Sequence, residues 1–171
     1  KLLDSIIGTE GVKTDDMILG DKNAVMVASR ILAYGKEYEA EIINPNNGNK
    51  ISHTFDLTEC EFKKINTDIS ENNFKIKLPV SNVEVTYKIL TGKEEKAIET
   101  ELNSIKKLKR EVSPELTTRL KYIIKSVDGN SEQSSINDFV ENMLSKDSLY
   151  LRQEIAKNSP DIDLSQEIKI E

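Results

Sequence analysis

The 171 residues include one cysteine, one histidine, four prolines and no tryptophan. The lone Cys60 excludes an internal disulfide framework and a cysteine-rich zinc site, and it fits a reducing compartment. Four Phe and five Tyr leave few aromatic anchors. No run approaches the roughly 18 apolar residues needed to cross a bilayer, and the first residues lack the charged-then-apolar layout of a secretory signal. Folding in the cytosol is therefore expected. Neither a Walker-type glycine loop nor a GxGxxG occurs, so nothing in the sequence supports nucleotide binding.

What is present is 37% hydrophobic and 32% charged residues with a net charge of −6. That predicts a soluble globular chain with an acidic lean, long enough to bury about 70% of its unfolded surface. The charge is uneven, with basic side chains in excess over 93–126 and acidic ones over 127–171. The cluster Lys106, Lys107, Lys109 and Arg110 has no aromatic interleaving. With the negative net charge, this disfavours nucleic-acid binding. The chain starts at Lys1, not Met, and stops inside the alternating run Glu167-Ile168-Lys169-Ile170-Glu171, so the native product is expected to extend further.

Periodicity predicts an α+β fold: a small antiparallel sheet of two hairpins packed with an N-terminal helix and a C-terminal group of three to four helices. Residues 1–20, with Gly8, Gly11 and Gly20, read as an arm or loop. A single domain is expected over 21–171, hairpin-rich over 21–92, helical over 93–160 and closing with a strand over 161–171. Asp21 and Gly35 bracket the first helix as caps. Tyr38, Ala40 and Ile42 alternate with charges, turn at Asn44 to Asn49, and are answered by Ile51, His53, Phe55 and Leu57. Thr58-Glu59-Cys60-Glu61 has capping-box spacing and predicts a short helix through Ile65. Phe74, Ile76 and Leu78 alternate with Lys75 and Lys77, and Val83, Val85, Tyr87 and Ile89 form the return strand. Thr91 to Glu94 is a second capping box before a helix to Arg110. Ser113-Pro114 opens a helix to Val127, Ser135 caps another, and Asp147 caps the last, which Ser159-Pro160 stops.

The chemistry-bearing residues are few. His53 lies in phase with Ile51 and Phe55 and reads as a sheet residue on the apolar face; Cys60 reads as a small buried hydrophobe. A small cytosolic enzyme using His53 and Cys60 is the alternative. Asp128-Gly129-Asn130-Ser131-Glu132 resembles the start of a calcium loop, but the twelfth position is Phe139 where Glu is needed, so a helix-ending turn explains it. Asp161 and Asp163 share one side of a strand and read as solvated. No catalytic residue, cofactor or metal is expected, and what remains is an adaptor working by surface recognition.

A more specific reading comes from the run Thr117-Thr118-Arg119-Leu120-Lys121 through Ile124 and Ser126-Val127-Asp128-Gly129-Asn130. It continues through Ile136-Asn137-Asp138-Phe139-Val140, Leu144-Ser145-Lys146-Asp147-Ser148, Leu151-Arg152 and Ser159-Pro160-Asp161-Ile162-Asp163-Leu164. With Leu19-Gly20-Asp21-Lys22, Arg30-Ile31-Leu32, Tyr34-Gly35-Lys36 and Phe55-Asp56-Leu57, it resembles the T4-type bacteriophage baseplate protein family, the hub and hub-assembly proteins of contractile tails. The resemblance spans 18–164. It implies a structural or assembly component of the tail baseplate, made in the host cytoplasm, retained in the virion, and partnered by other baseplate or tail proteins in several copies. The alternative within this class is a transient tail-assembly chaperone. No nucleic acid and no membrane insertion are implied. Arg119, Asp147, Arg152, Ile162, Leu164, Ile168 and Ile170 are the candidate partner-interface residues, the last four through a strand that completes a sheet or docks on a neighbour. Family members often carry a Cys-Pro-x-Cys-Gly segment after the final strand. Zinc would therefore require a cysteine-containing segment beyond Glu171.

Overall fold

The computed structural model describes residues 2–8, 11–65, 71–107 and 114–168. The fold is α+β. In chain order the elements are α1 (Leu2–Ile6), α2 (Leu19–Tyr34), β1 (Glu37–Ile43), β2 (Lys50–Asp56), β3 (Glu61–Phe62), β4 (Phe74–Lys77) and β5 (Glu84–Tyr87). They continue with α3 (Gly92–Lys107), α4 (Glu115–Ile123), β6 (Ile124–Val127), α5 (Gln133–Glu141), α6 (Ser145–Asn158) and β7 (Ile162–Asp163). Contacts group the chain into two compact units, the first of Lys1–Thr14, Leu19–Lys64 and Pro160–Glu171, the second of Asp15–Ile18 and Ile65–Ser159. The stretch 21–171, read from the sequence as one domain, thus contains parts of both.

The first unit is discontinuous because the tail returns to it. β7 pairs antiparallel with β3, Ile162 opposite Phe62, and the Lys63 N–H donates to the Asp161 carbonyl at 2.9 Å. Gly20 marks where this return is tightest, since a Cβ there would overlap the Pro160 carbonyl. It is the one buried residue of α2. β1 and β2 form a separate two-stranded sheet, Tyr38 opposite Phe55 and Ile42 opposite Ile51. Its turn closes with Gly48 at φ +73° and the Asn44 carboxamide accepting the Asn46 N–H at 2.8 Å. Gly35, at φ +84°, ends α2 by donating to the Ile31 carbonyl.

The second unit holds the main core. β4, β5 and β6 form an antiparallel sheet in that order, and Leu78, Val85, Tyr87, Ile98, Leu120 and Leu151 lie in one buried cluster with their neighbours. Each such side chain contributes about 1.5–3 kcal/mol on leaving water. Tyr87 stacks on Phe74 with ring centroids 5.2 Å apart, and its hydroxyl accepts from the Asn158 carboxamide at 2.8 Å. The Thr91 N–H and hydroxyl donate to Glu94 at 2.8 and 3.1 Å, the capping interaction expected at the start of α3.

Several elements differ from expectation. The first residues include a helical turn, α1, and α2 begins at Leu19, which puts Asp21 in its first turn. The two hairpins do not share a sheet. The segment after Asp56 is a 3-10 turn (Leu57–Glu59) followed by β3, because the Asp56 carboxylate takes the Thr58 N–H at 2.9 Å and closes the turn one step early. The helix expected to reach Val127 stops at Ile123. The β-branched Ile124 and Val127 extend into β6, where pairing with β5 outweighs the helical period. Pro114 stands immediately before α4; the proposed cap Ser113 and the cations Lys109 and Arg110 lie outside the described residues. Ser135 sits inside α5 and accepts from Asn130 at 3.0 Å. The final strand is two residues long, without regular structure over 164–168.

Candidate interaction surfaces

The candidate interface residues fall into three groups. The first is committed within the second unit. Asp147 is not a cap: it is the third residue of α6, 1% exposed, and its two carboxylate oxygens accept the N–H groups of Val80 and Ser81, each at 2.9 Å. It thereby pins the β4–β5 turn, where Asn82 takes φ +58°. Burial by itself would raise its pKa, but these hydrogen bonds outweigh burial and hold it below the ordinary carboxylate value. Arg119 grips Glu95 through both carboxylate oxygens at 2.8 and 2.9 Å and reaches Glu115 at 3.4 Å, joining α3 to α4. The Glu95 carboxylate raises the guanidinium pKa above its ordinary value, against the opposing effect of burial.

The second group belongs to the tail. Ile162 is buried in the pairing with β3, Leu164 is 57% exposed, Ile168 is half-buried, and Ile170 lies outside the described residues. The tail strand therefore pairs first with its own chain. Arg152 stands alone as the third case, exposed on α6 and donating to its own helix at the Ser148 carbonyl, 3.3 Å away.

The main apolar exposure is elsewhere, in the first unit. Leu3 and Ile162 are its only buried apolar side chains among the described residues. No residue of β1 or β2 is buried. A groove of about 510 Å³ runs between Met26 and Val27 of α2, Tyr38 and Phe55 of the hairpin, and Leu164 of the tail. Leu32 and Tyr34 add apolar surface at 87% and 78% exposure. At the groove's margin Arg30 lies over the Tyr34 ring at 4.9 Å and donates to the Gly35 carbonyl at 3.1 Å, which fixes the α2–β1 junction. The signal for this surface was already present in the period-two pattern of Tyr38 and Phe55; what the pattern could not show was that no described residue packs tightly enough to bury it.

The second unit has a cleft of about 590 Å³ lined by Lys88, Lys121, Lys125, Glu101, Tyr122 and Gln133, among others. Each lysine is already engaged: Lys88 with Glu94, Lys121 with Glu141 at 2.7 Å, and Lys125 with Asn73 at 3.1 Å. Asn73 is neutral, so of the three contacts those of Lys88 and Lys121 offset a charge and that of Lys125 does not.

His53 packs edge-on against Phe55 at 4.7 Å, and the Cys60 thiol accepts from the Gln166 carboxamide at 3.8 Å. These contacts give the two side chains different neighbours. Among the described residues no group of three His, Cys, Asp or Glu could hold a metal ion. One thiol and one imidazole so placed do not fit a zinc shell. No described helix is long and apolar enough to cross a membrane. No family model, curated protein or solved structure matches this chain.

Proposed function

We propose that this chain is a structural or assembly component of a contractile phage tail baseplate, acting through protein–protein interfaces in the virion. The observation that carries the interface half of this reading is the apolar surface of the first unit. Met26, Leu32, Tyr34, Tyr38 and Leu164 stand exposed on three different segments of that unit. Such a surface is costly to leave in water and is usually covered by another chain. The baseplate half rests on the resemblance carried by Thr117 to Asn130, Ile136 to Val140 and Ser159 to Leu164. Partners are other tail proteins, met after synthesis in the host cytoplasm.

Quantitative mass spectrometry on gradient-purified virions and on tail intermediates of the parent phage tests the proposal. Stoichiometric signal in finished particles is expected. Signal confined to intermediates would make the chain an assembly chaperone, and absence from both would overturn the baseplate reading. Deletion of 160–171 is a poor probe of the interface, because it removes β7 from its own fold. Leu164→Asp leaves the β3–β7 pairing in place and is expected to lower incorporation at least tenfold.

A further inference from the structure

The molecule carries two open strand edges of opposite charge. In the β1–β2 ladder, the Asn44 N–H donates to Asn49 at 2.8 Å and the Leu57 N–H to Lys36 at 2.9 Å. With the register, these bonds turn Tyr38, Ala40 and Ile42 toward β2. Glu37, Glu39 and Glu41 therefore direct their backbone N–H and C=O groups away from β2; the Glu37 carbonyl accepts from Arg30 at 3.4 Å, which leaves Glu39 and Glu41 as the open stretch. In the β4–β5 ladder the Leu78 N–H donates to Val83 at 2.9 Å, so Phe74 and Ile76 face β5 while Lys75 and Lys77 face out. Among the described residues no strand pairs with the outer side of β1 or of β4.

We propose that β1 of one copy of this chain pairs antiparallel with β4 of a second copy. This pairing is independent of the baseplate reading. Setting Glu41 opposite Lys75 also sets Glu39 opposite Lys77, Ala40 opposite Ile76 and Ile42 opposite Phe74. Charges thus meet charges of opposite sign on one face and apolar side chains meet on the other, with the outward backbone groups of both strands in phase. Self-pairing is disfavoured on both edges: β1 on β1 sets Glu against Glu, and β4 on β4 sets Lys against Lys. The outer edge of β2 is partly taken, since the Gln166 carboxamide donates to the Asp56 carbonyl at 2.7 Å.

Two of these charges already have partners within the chain. Glu41 meets Lys50 at 2.8 Å and Lys75 meets Glu84 at 3.7 Å, both pairs exposed. The new strand contact joins them into one alternating row, Lys50, Glu41, then Lys75 and Glu84 of the second copy. Because the two surfaces differ, the interface is head-to-tail and each copy keeps one edge free for the next.

Sedimentation equilibrium across concentration and salt tests this. The apparent mass is expected to rise above the 19.3 kDa chain with concentration and to return toward it as salt screens the row. Glu39→Lys/Glu41→Lys and Lys75→Glu/Lys77→Glu alter only exposed side chains and are expected to keep the far-UV circular dichroism of the parent. Each variant alone is expected to lose association at least tenfold, and an equimolar mixture to regain it, since every contact in an alternating assembly is again between opposite charges. A parent chain that stays at 19.3 kDa throughout would overturn the proposal. So would folded variants that associate as well alone as mixed, or a mixture that fails to regain association.

Discussion

Asp147 carries more of the fold than a helix cap does. Its carboxylate holds two N–H groups of a turn more than sixty residues earlier in the chain, and charge-assisted bonds of this kind contribute about 1.5–3 kcal/mol. Asp147→Asn is expected to lower stability at neutral pH by about 2 kcal/mol, read from the urea midpoint. The pH dependence follows from the lowered pKa. A carboxylate held below its unfolded value stabilises fully above about pH 4, and that contribution is lost as pH falls through the folded value. The gap between parent and variant should therefore shrink below pH 4, and a gap unchanged at pH 3 would contradict this role. Asp56 titrates in the same direction, held at about 2 by Lys36 and then by Thr58. Gly20 has a steric reason instead. Gly20→Ala is expected to push Pro160 off α2, seen as faster amide exchange at Lys63, whose N–H donates to the Asp161 carbonyl, with Val85 unchanged.

Elements were legible wherever one local signal acted alone. Period-two alternation located both hairpins, and Thr91 to Glu94 located the start of α3. Glu94 receives the Thr91 N–H there while pairing with Lys88; burial opposes its charged form, but these bonds leave its pKa below the ordinary value. Glu94→Ala is expected to cost about 1 kcal/mol of stability. Legibility failed where distant pairing decided the outcome. Ile123 and Ile124 continue an acceptable helical stripe, yet the edge of β5 takes Ile124 to Val127 as a strand, closed by Asp128 at φ +47° and Gly129 at φ +81°. The tail failed similarly: the alternation from Ile162 to Ile170 reads as a long strand, but over the described residues it pairs with β3 at two positions. Among the interface candidates, Arg119 and Asp147 stand in a helical pattern that says nothing of their partners, Glu95 and the Val80–Ser81 turn. Their roles needed the third dimension.

At the scale of the molecule, the two units divide the apolar side chains unequally. The buried cluster of the second unit is drawn from its sheet and all four of its helices, whereas the first unit buries Leu3 and Ile162 and leaves Met26, Leu32 and Tyr38 exposed. Stability should follow this division. Leu151→Ala, at a fully buried position, is expected to cost about 2–5 kcal/mol, while Leu32→Ala should change stability by less than about 0.5 kcal/mol. A two-stranded hairpin with no buried residue is marginal by itself, so the first unit is expected to gain order when another chain covers it. Hydrogen exchange on the dilute chain tests that account most directly. The prediction is slow exchange in β5, α4 and α6 and exchange at least a hundredfold faster in β1 and β2. Protection of β1 and β2 equal to that of β5 in the dilute monomer would contradict it, because the first unit would then be complete without a partner.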